Sequence, residues 1–107
     1  MFNIELRYFV QDTSLDFAKD CRDLKLLEQY ELDVLVSAYK CEIDPSDIEE
    51  AYQGQWDSDE SFVQDLLEDT GTIPANLPWY VEIDWERTAF HVMLDYIEDS
   101  GYYFRIL

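Results

Sequence analysis

Positive charge is scarce in this sequence: seven Lys and Arg stand against 25 Asp and Glu, a formal net charge of −18. A chain so poor in cations cannot neutralise phosphates, so no direct nucleic-acid binding is expected. Three glycines and three prolines leave no Gly/Ser linker, no GxGxxG and no P-loop. The two cysteines, Cys21 and Cys41, lack zinc or redox spacing, and read as reduced core or half-buried thiols of a cytosolic protein. The single histidine, His91, rules out HExxH, and no nucleophile–base pair is readable near it; a solvated or salt-bridged role between Arg87 and Asp95 is expected. No run of 18 apolar residues exists, so no membrane span is expected. The opening Met1-Phe2-Asn3-Ile4-Glu5 lacks the basic region and apolar stretch of a signal peptide. The expectation is a cytoplasmic binding protein rather than an enzyme, with no catalytic residue, cofactor or metal assigned.

What is present is apolar area and carboxylate. Three Trp, eight Tyr and six Phe argue against disorder despite the charge, and 107 residues suit a single compact unit with a real core. A compact chain of this length has a radius of gyration of about 13 Å, hence a width of roughly 30–35 Å. Eighteen charges on that width match duplex DNA, which carries one charge per about 1.7 Å of axis. Solubility in a small domain usually needs a net charge of only about 2–8, and the excess costs stability through self-repulsion. A strongly basic partner surface is therefore expected, with solubility or salt adaptation as the plainer alternatives.

Residues 2–10 alternate like a strand, with Phe2, Ile4, Leu6, Tyr8 and Val10 on one side. Thr13 is placed to cap a helix over about 14–29, and Leu32, Leu35, Val36 and Tyr39 follow helical spacing. Asp44-Pro45-Ser46-Asp47 reads as a helix start, with Ile48, Ala51 and Tyr52 inward until Gly54. Asp57 or Ser58 opens a helix that buries Phe62, Val63, Leu66 and Leu67 and stops at Gly71. A short strand is expected over Tyr80–Ile83, then a last helix from Asp84 to Gly101 and a closing strand from Tyr102 to Leu107. The fold class expected is α+β: about five helices, with a small antiparallel sheet pairing the N- and C-terminal strands.

The acids fall in stripes. Asp16, Asp20 and Asp23 share a face of the first helix, where neighbours about 5–6 Å apart repel. Asp65 and Glu68 oppose the apolar face of the fourth helix, bordered by Glu60 and Asp69. Asp95 and Glu98 are expected on the polar face of the last helix with Arg87 and His91. Any one stripe reads most simply as a solvated face; stripes on several helices with few basic partners point to a partner. The last helix also has a wide apolar surface, on which Phe90, Leu94 and Ile97 serve either two-sided burial or a homodimer contact. Asp57, Asp59, Ser61, Asp65 and Glu68 match calcium-loop spacing, but Phe62 stands where such a loop needs Gly.

Asp47-Ile48-Glu49-Glu50-Ala51-Tyr52-Gln53-Gly54-Gln55-Trp56, Ser61 to Leu66, Ile73-Pro74-Ala75-Asn76-Leu77, Ile83 to Ala89, Asp95 to Glu98 and Gly101 to Arg105 follow one another as in ArdA-type antirestriction proteins, which residues 44–107 resemble. Residues 1–43, the N-terminal strand and acidic helices, resemble the family only in being acidic. The resemblance implies a DNA mimic that occupies the DNA-binding groove of type I restriction-modification enzymes. Family members are typically elongated, three-domain and dimeric. It also implies a short form lacking an N-terminal domain, carried by a phage or mobile element, for which a CRISPR effector is a further candidate target. The expected mimic carboxylates are Asp47, Glu50, Asp57, Asp59, Glu60, Asp65, Glu68, Asp69, Asp95, Glu98 and Asp99, and then Asp16, Asp20 and Asp23. A homodimer through Phe90, Leu94 and Ile97 is expected. Two other classes stay open: an acidic adaptor or chaperone for a basic protein unrelated to DNA, and a carboxylate-based hydrolase or calcium-binding enzyme.

Overall fold

The computed structural model describes residues 9–74 and 76–107. The strand expected over 2–10 lies almost wholly outside them; of its residues, Phe9 and Val10 are described and are helical, with the helical stretch running on to residue 12. Next come α1 (Leu15–Asp23), α2 (Leu26–Gln29) and α3 (Leu32–Lys40). A 3-10 turn at Pro45–Asp47 leads into α4 (Ile48–Ala51), β1 (Tyr52–Gln55) and α5 (Asp59–Asp69). The chain ends with α6 (Trp85–Val92), a 3-10 turn at Met93–Asp95, β2 (Tyr96–Asp99) and β3 (Tyr102–Arg105). The fold is α+β with a small antiparallel sheet in the order β1-β3-β2.

The helix starts follow local chemistry. Ser14, not Thr13, caps α1: its Oγ accepts from the Phe17 N–H at 3.1 Å, while Thr13 donates its hydroxyl back to the Phe9 carbonyl at 2.6 Å. The helix expected over 14–29 breaks because Lys25 sits in the left-handed region, φ 62°, and α2 restarts beyond it. Asp44 caps the turn at Pro45 through the Ser46 N–H, Ser58 caps α5 through the Ser61 N–H, and Asp84 caps α6 through the Arg87 N–H. Gly71, φ 73°, terminates α5 in the left-handed conformation that glycine takes without a Cβ clash.

Two further expectations are corrected. The last helix stops at Val92, and Tyr96–Asp99 is a strand. Ser100 and Gly101, with φ of 55° and 87°, form the two-residue turn whose twist suits a hairpin. Residues 80–83 are in no strand; the Val81 N–H donates to the Pro78 carbonyl at 2.9 Å in a turn. The closing strand lies between β1 and β2: Tyr52 opposes Phe104, and Ile97 opposes Phe104 from the other side; the opening strand of the expected pairing lies outside the described residues.

Central placement makes β3 a two-faced strand. Tyr102 and Phe104 enter a core with Phe17, Cys21, Leu26, Leu35, Ala38 and Ile48. Tyr103, on the opposite face, enters a second core with Phe62, Val63 and Ala89. Phe62 stacks on Tyr103 at 4.5 Å, and Trp56 closes on Phe62 at 4.8 Å. A strand buried on both faces needs an unbroken apolar run, which Tyr102-Tyr103-Phe104 supplies. Helical layers on opposite faces of a narrow sheet lengthen the body along one axis. The radius of gyration is 16.8 Å and the extents are 60 × 22 × 19 Å, so the compact width estimated from length alone is overturned.

Candidate partner-binding surface

All the nominated carboxylates reach solvent. Asp47 and Asp99 are half-buried; Asp16, Asp20, Asp23, Glu50, Asp57, Asp59, Glu60, Asp65, Glu68, Asp69, Asp95 and Glu98 are exposed. They run along both halves of the elongated body, from α1 to the β2–β3 hairpin.

The structure divides them by what else they hold. Asp59 accepts the Tyr103 hydroxyl at 2.6 Å, tying the start of α5 to the central strand. Asp65 accepts the Trp56 indole N–H at 2.7 Å. Asp99 accepts the Ser37 hydroxyl at 2.8 Å, joining α3 to the hairpin. Glu98 accepts the Gly101 N–H at 2.9 Å and steadies the hairpin turn. Glu50 pairs with Arg105 at 3.2 Å, Asp23 with Arg22 at 3.4 Å, and Glu68 accepts from the Gln64 amide at 3.3 Å. Among the described residues, Asp16, Asp20, Asp47, Asp57, Glu60, Asp69 and Asp95 make no side-chain hydrogen bond or ion pair within the chain. The first group is partly structural; the second has no internal partner among the described residues.

Asp95 and Glu98 do not share a helical face with Arg87 and His91, because the helix ends before them. For the same reason Phe90, Leu94 and Ile97 are not one stripe. Phe90 and Leu94 are 69% and 67% exposed. Ile97 stands on β2 opposite Phe104 and lines a 390 Å³ pocket with Cys41, Ile43, Ile106 and Leu107 on the sheet face covered by α1–α4. The calcium-like spacing starts at Asp57, just before the Ser58 cap, and continues along α5, where Asp59 and Asp65 turn to different aromatic partners rather than to a common centre.

Two features were not nominated from the sequence. A 580 Å³ open cleft between the N-terminal end of α5 and the length of α6 is lined by Asp59, Glu60, Asp84 and Glu86, with Arg87, Phe90 and His91. Leu77, Trp79, Tyr80 and Val81 form an exposed apolar segment before α6. The signal for the second was present: five apolar residues in 77–81 with neither alternation nor helical period.

Burial, and secondarily the Asp20 charge, pushes the Cys21 thiol up to about 12. Burial, with Asp99 and Glu98 behind it, pushes Cys41 to about 11. Both stay protonated at neutral pH and are poor nucleophiles. The Tyr103 hydroxyl is raised first by burial and then by its bond to Asp59. Tyr103→Phe is expected to lose about 1–2 kcal/mol of stability, the worth of a hydrogen bond to a charged acceptor that rehydrates when released. Urea titration checks it; an unchanged midpoint would place Asp59 among the acids without structural work.

Among the described residues, no helix is long and apolar enough to cross a membrane. No family model, no curated protein and no solved structure matches this chain.

Proposed function

We propose that this chain is a DNA-mimic inhibitor that acts in the cytoplasm of a bacterial host. It occupies the basic DNA-binding groove of a defence enzyme, a type I restriction-modification complex or a CRISPR effector, by steric and electrostatic competition. The observation that carries the reading is the joining of shape and charge: −18 on a body 60 Å long and 22 × 19 Å across. Residues 1–8 hold one Glu and one Arg, so the described residues carry the same net charge. The body is about as thick as a duplex and as long as roughly 18 base pairs at about 3.4 Å each.

Dividing 60 Å by 18 charges gives one per 3.3 Å, about half the density of duplex DNA and close to that of one strand. The equality with duplex expected from a compact shape is therefore reduced by half. A rod of duplex thickness with one strand's charge presents its carboxylates to a groove lined with Lys and Arg, and a pre-folded scaffold limits the ordering cost of binding. The resemblance of residues 44–107 to ArdA-type proteins points the same way. The chain itself binds no nucleic acid in this reading and uses no cofactor.

Competition tests it. A labelled duplex bound to a restriction or CRISPR complex is titrated with the chain, and release of the duplex is expected, weakening steeply with salt. Simultaneous binding of duplex and chain to one complex would overturn mimicry in favour of an acidic adaptor. A homodimer is part of the proposal, through Phe90 and Leu94 of each copy. Light scattering at moderate salt is expected to give twice the monomer mass at high micromolar concentration, and Leu94→Asp to return the monomer.

A further inference from the structure

Trp79 is 93% exposed and Tyr80 71%, flanked by Leu77 at 37% and Val81 at 43%. Trp79 is the most exposed large apolar side chain of the described residues. Its ring stands edge-on to Tyr80 at 5.7 Å, so both rings keep a face in water. Through the loop and into the first turn of α6, Glu82, Asp84 and Glu86 are exposed, while Ile83 and Trp85 are half-buried. The sequence has no Lys or Arg between Lys40 and Arg87. Two open aromatic faces thus adjoin a row of carboxylates in the stretch that has no cation of its own.

Aromatic faces beside carboxylates suit one side chain above others. Guanidinium is planar and weakly hydrated, stacks on Trp and Tyr, and bonds carboxylates through a fixed fork. Lysine ammonium is compact and strongly hydrated, and gains mainly from charge. A second copy of the chain, at −18, brings the same sign of charge to this row of acids. We propose that residues 77–86 are an arginine-reading contact. Trp79 and Tyr80 stack on guanidinium groups of the basic partner, while Glu82 and Glu86 take their charge. This rests on the reading of the chain as the ligand of a basic surface, and adds that the surface presents arginine to this segment.

The test uses the full isotope-labelled chain with two probes, nona-arginine and nona-lysine peptides, at moderate salt. Tighter binding of the arginine peptide by about three- to tenfold is expected, with the Trp79 indole N–H signal moving far more than those of half-buried Trp56 and Trp85. Trp79→Ala with Tyr80→Ala is expected to bring the arginine peptide down to the lysine level with an unchanged melting temperature. Glu82→Gln with Glu86→Gln lowers both peptides, and Asp84 is left alone because it caps α6. Equal affinity for the two peptides, or a preference that survives loss of both rings, overturns the contact while leaving the basic-surface reading intact. No binding of either peptide overturns both. A Trp79 signal that shifts with protein concentration alone overturns the contact in favour of a second copy.

Discussion

Phe104→Ala is expected to cost about 3–5 kcal/mol, the usual penalty for emptying a fully buried aromatic site, against a total stability of about 5–15 kcal/mol for a small domain. Phe104 has no exposure, lies on the central strand between Tyr52 and Ile97, and packs its ring 5.3 Å from that of Tyr52. The loss spreads because β3 carries both cores: Phe104 holds one face while Tyr103 holds the other. Collapse around the cavity is restricted, since moving β3 towards α1–α4 would pull Tyr103 from its stack on Phe62. Urea unfolding followed by circular dichroism should therefore show one transition shifted far down. Phe104→Leu, keeping most of the volume, should lose under about 1.5 kcal/mol, and the half-exposed Ile106→Ala less again. If Phe104→Ala instead gives two separated transitions, the halves fold independently and the sheet does not couple them.

How much of this was legible in the sequence follows from how local each signal is. Caps are local: Asp44, Ser58 and Asp84 were readable because the group each side chain satisfies lies two or three residues ahead. The apolar face of α5 was readable for the same reason. Tyr96–Asp99 was missed because Val92, Met93, Tyr96 and Ile97 continue a helical spacing without interruption. The contrary signal was Ser100-Gly101, a hairpin pair mistaken for a helix end. β1 was missed because Gly54 resembles a helix terminator, while the strand it sits in depends on Tyr102–Phe104, some fifty residues away. The elongated shape was hidden in Tyr102-Tyr103-Phe104, where every residue is apolar because each face has its own core. Exposure of the acids was predictable from charge. That Asp59 holds Tyr103, Asp65 holds Trp56 and Asp99 holds Ser37 was not, since these pairs are 44, 9 and 62 residues apart.

That division of the acids decides how the mimic reading is tested with substitutions. Neutralising Asp59 or Asp65 weakens the fold and the surface together, so a loss of inhibition there has two causes. Asp20, Asp57, Glu60, Asp69 and Asp95 have no internal partner among the described residues, and changing them to Asn or Gln moves the net charge from −18 to −13. Two helix-end effects oppose each other: Glu60 in the first turn of α5 favours the helix, while Asp69 in its last turn opposes it. Less self-repulsion adds to this, so the five-fold variant should melt at the same temperature or higher. Partner affinity should fall by about 1–5 kcal/mol, summing roughly 0.2–1 kcal/mol for each exposed pair, and its salt dependence should flatten. Any one of the five alone should cost less than about 1 kcal/mol, because affinity in a mimic is spread over many contacts. Titration of a bound duplex off its enzyme, at two salt concentrations, measures both quantities. A single substitution that abolishes inhibition in a folded protein would point to a dedicated site in place of a charged surface. A five-fold variant that inhibits as well as the parent would mean that the acidity serves solubility, and that the groove is filled by shape or by the aromatic segment at Trp79.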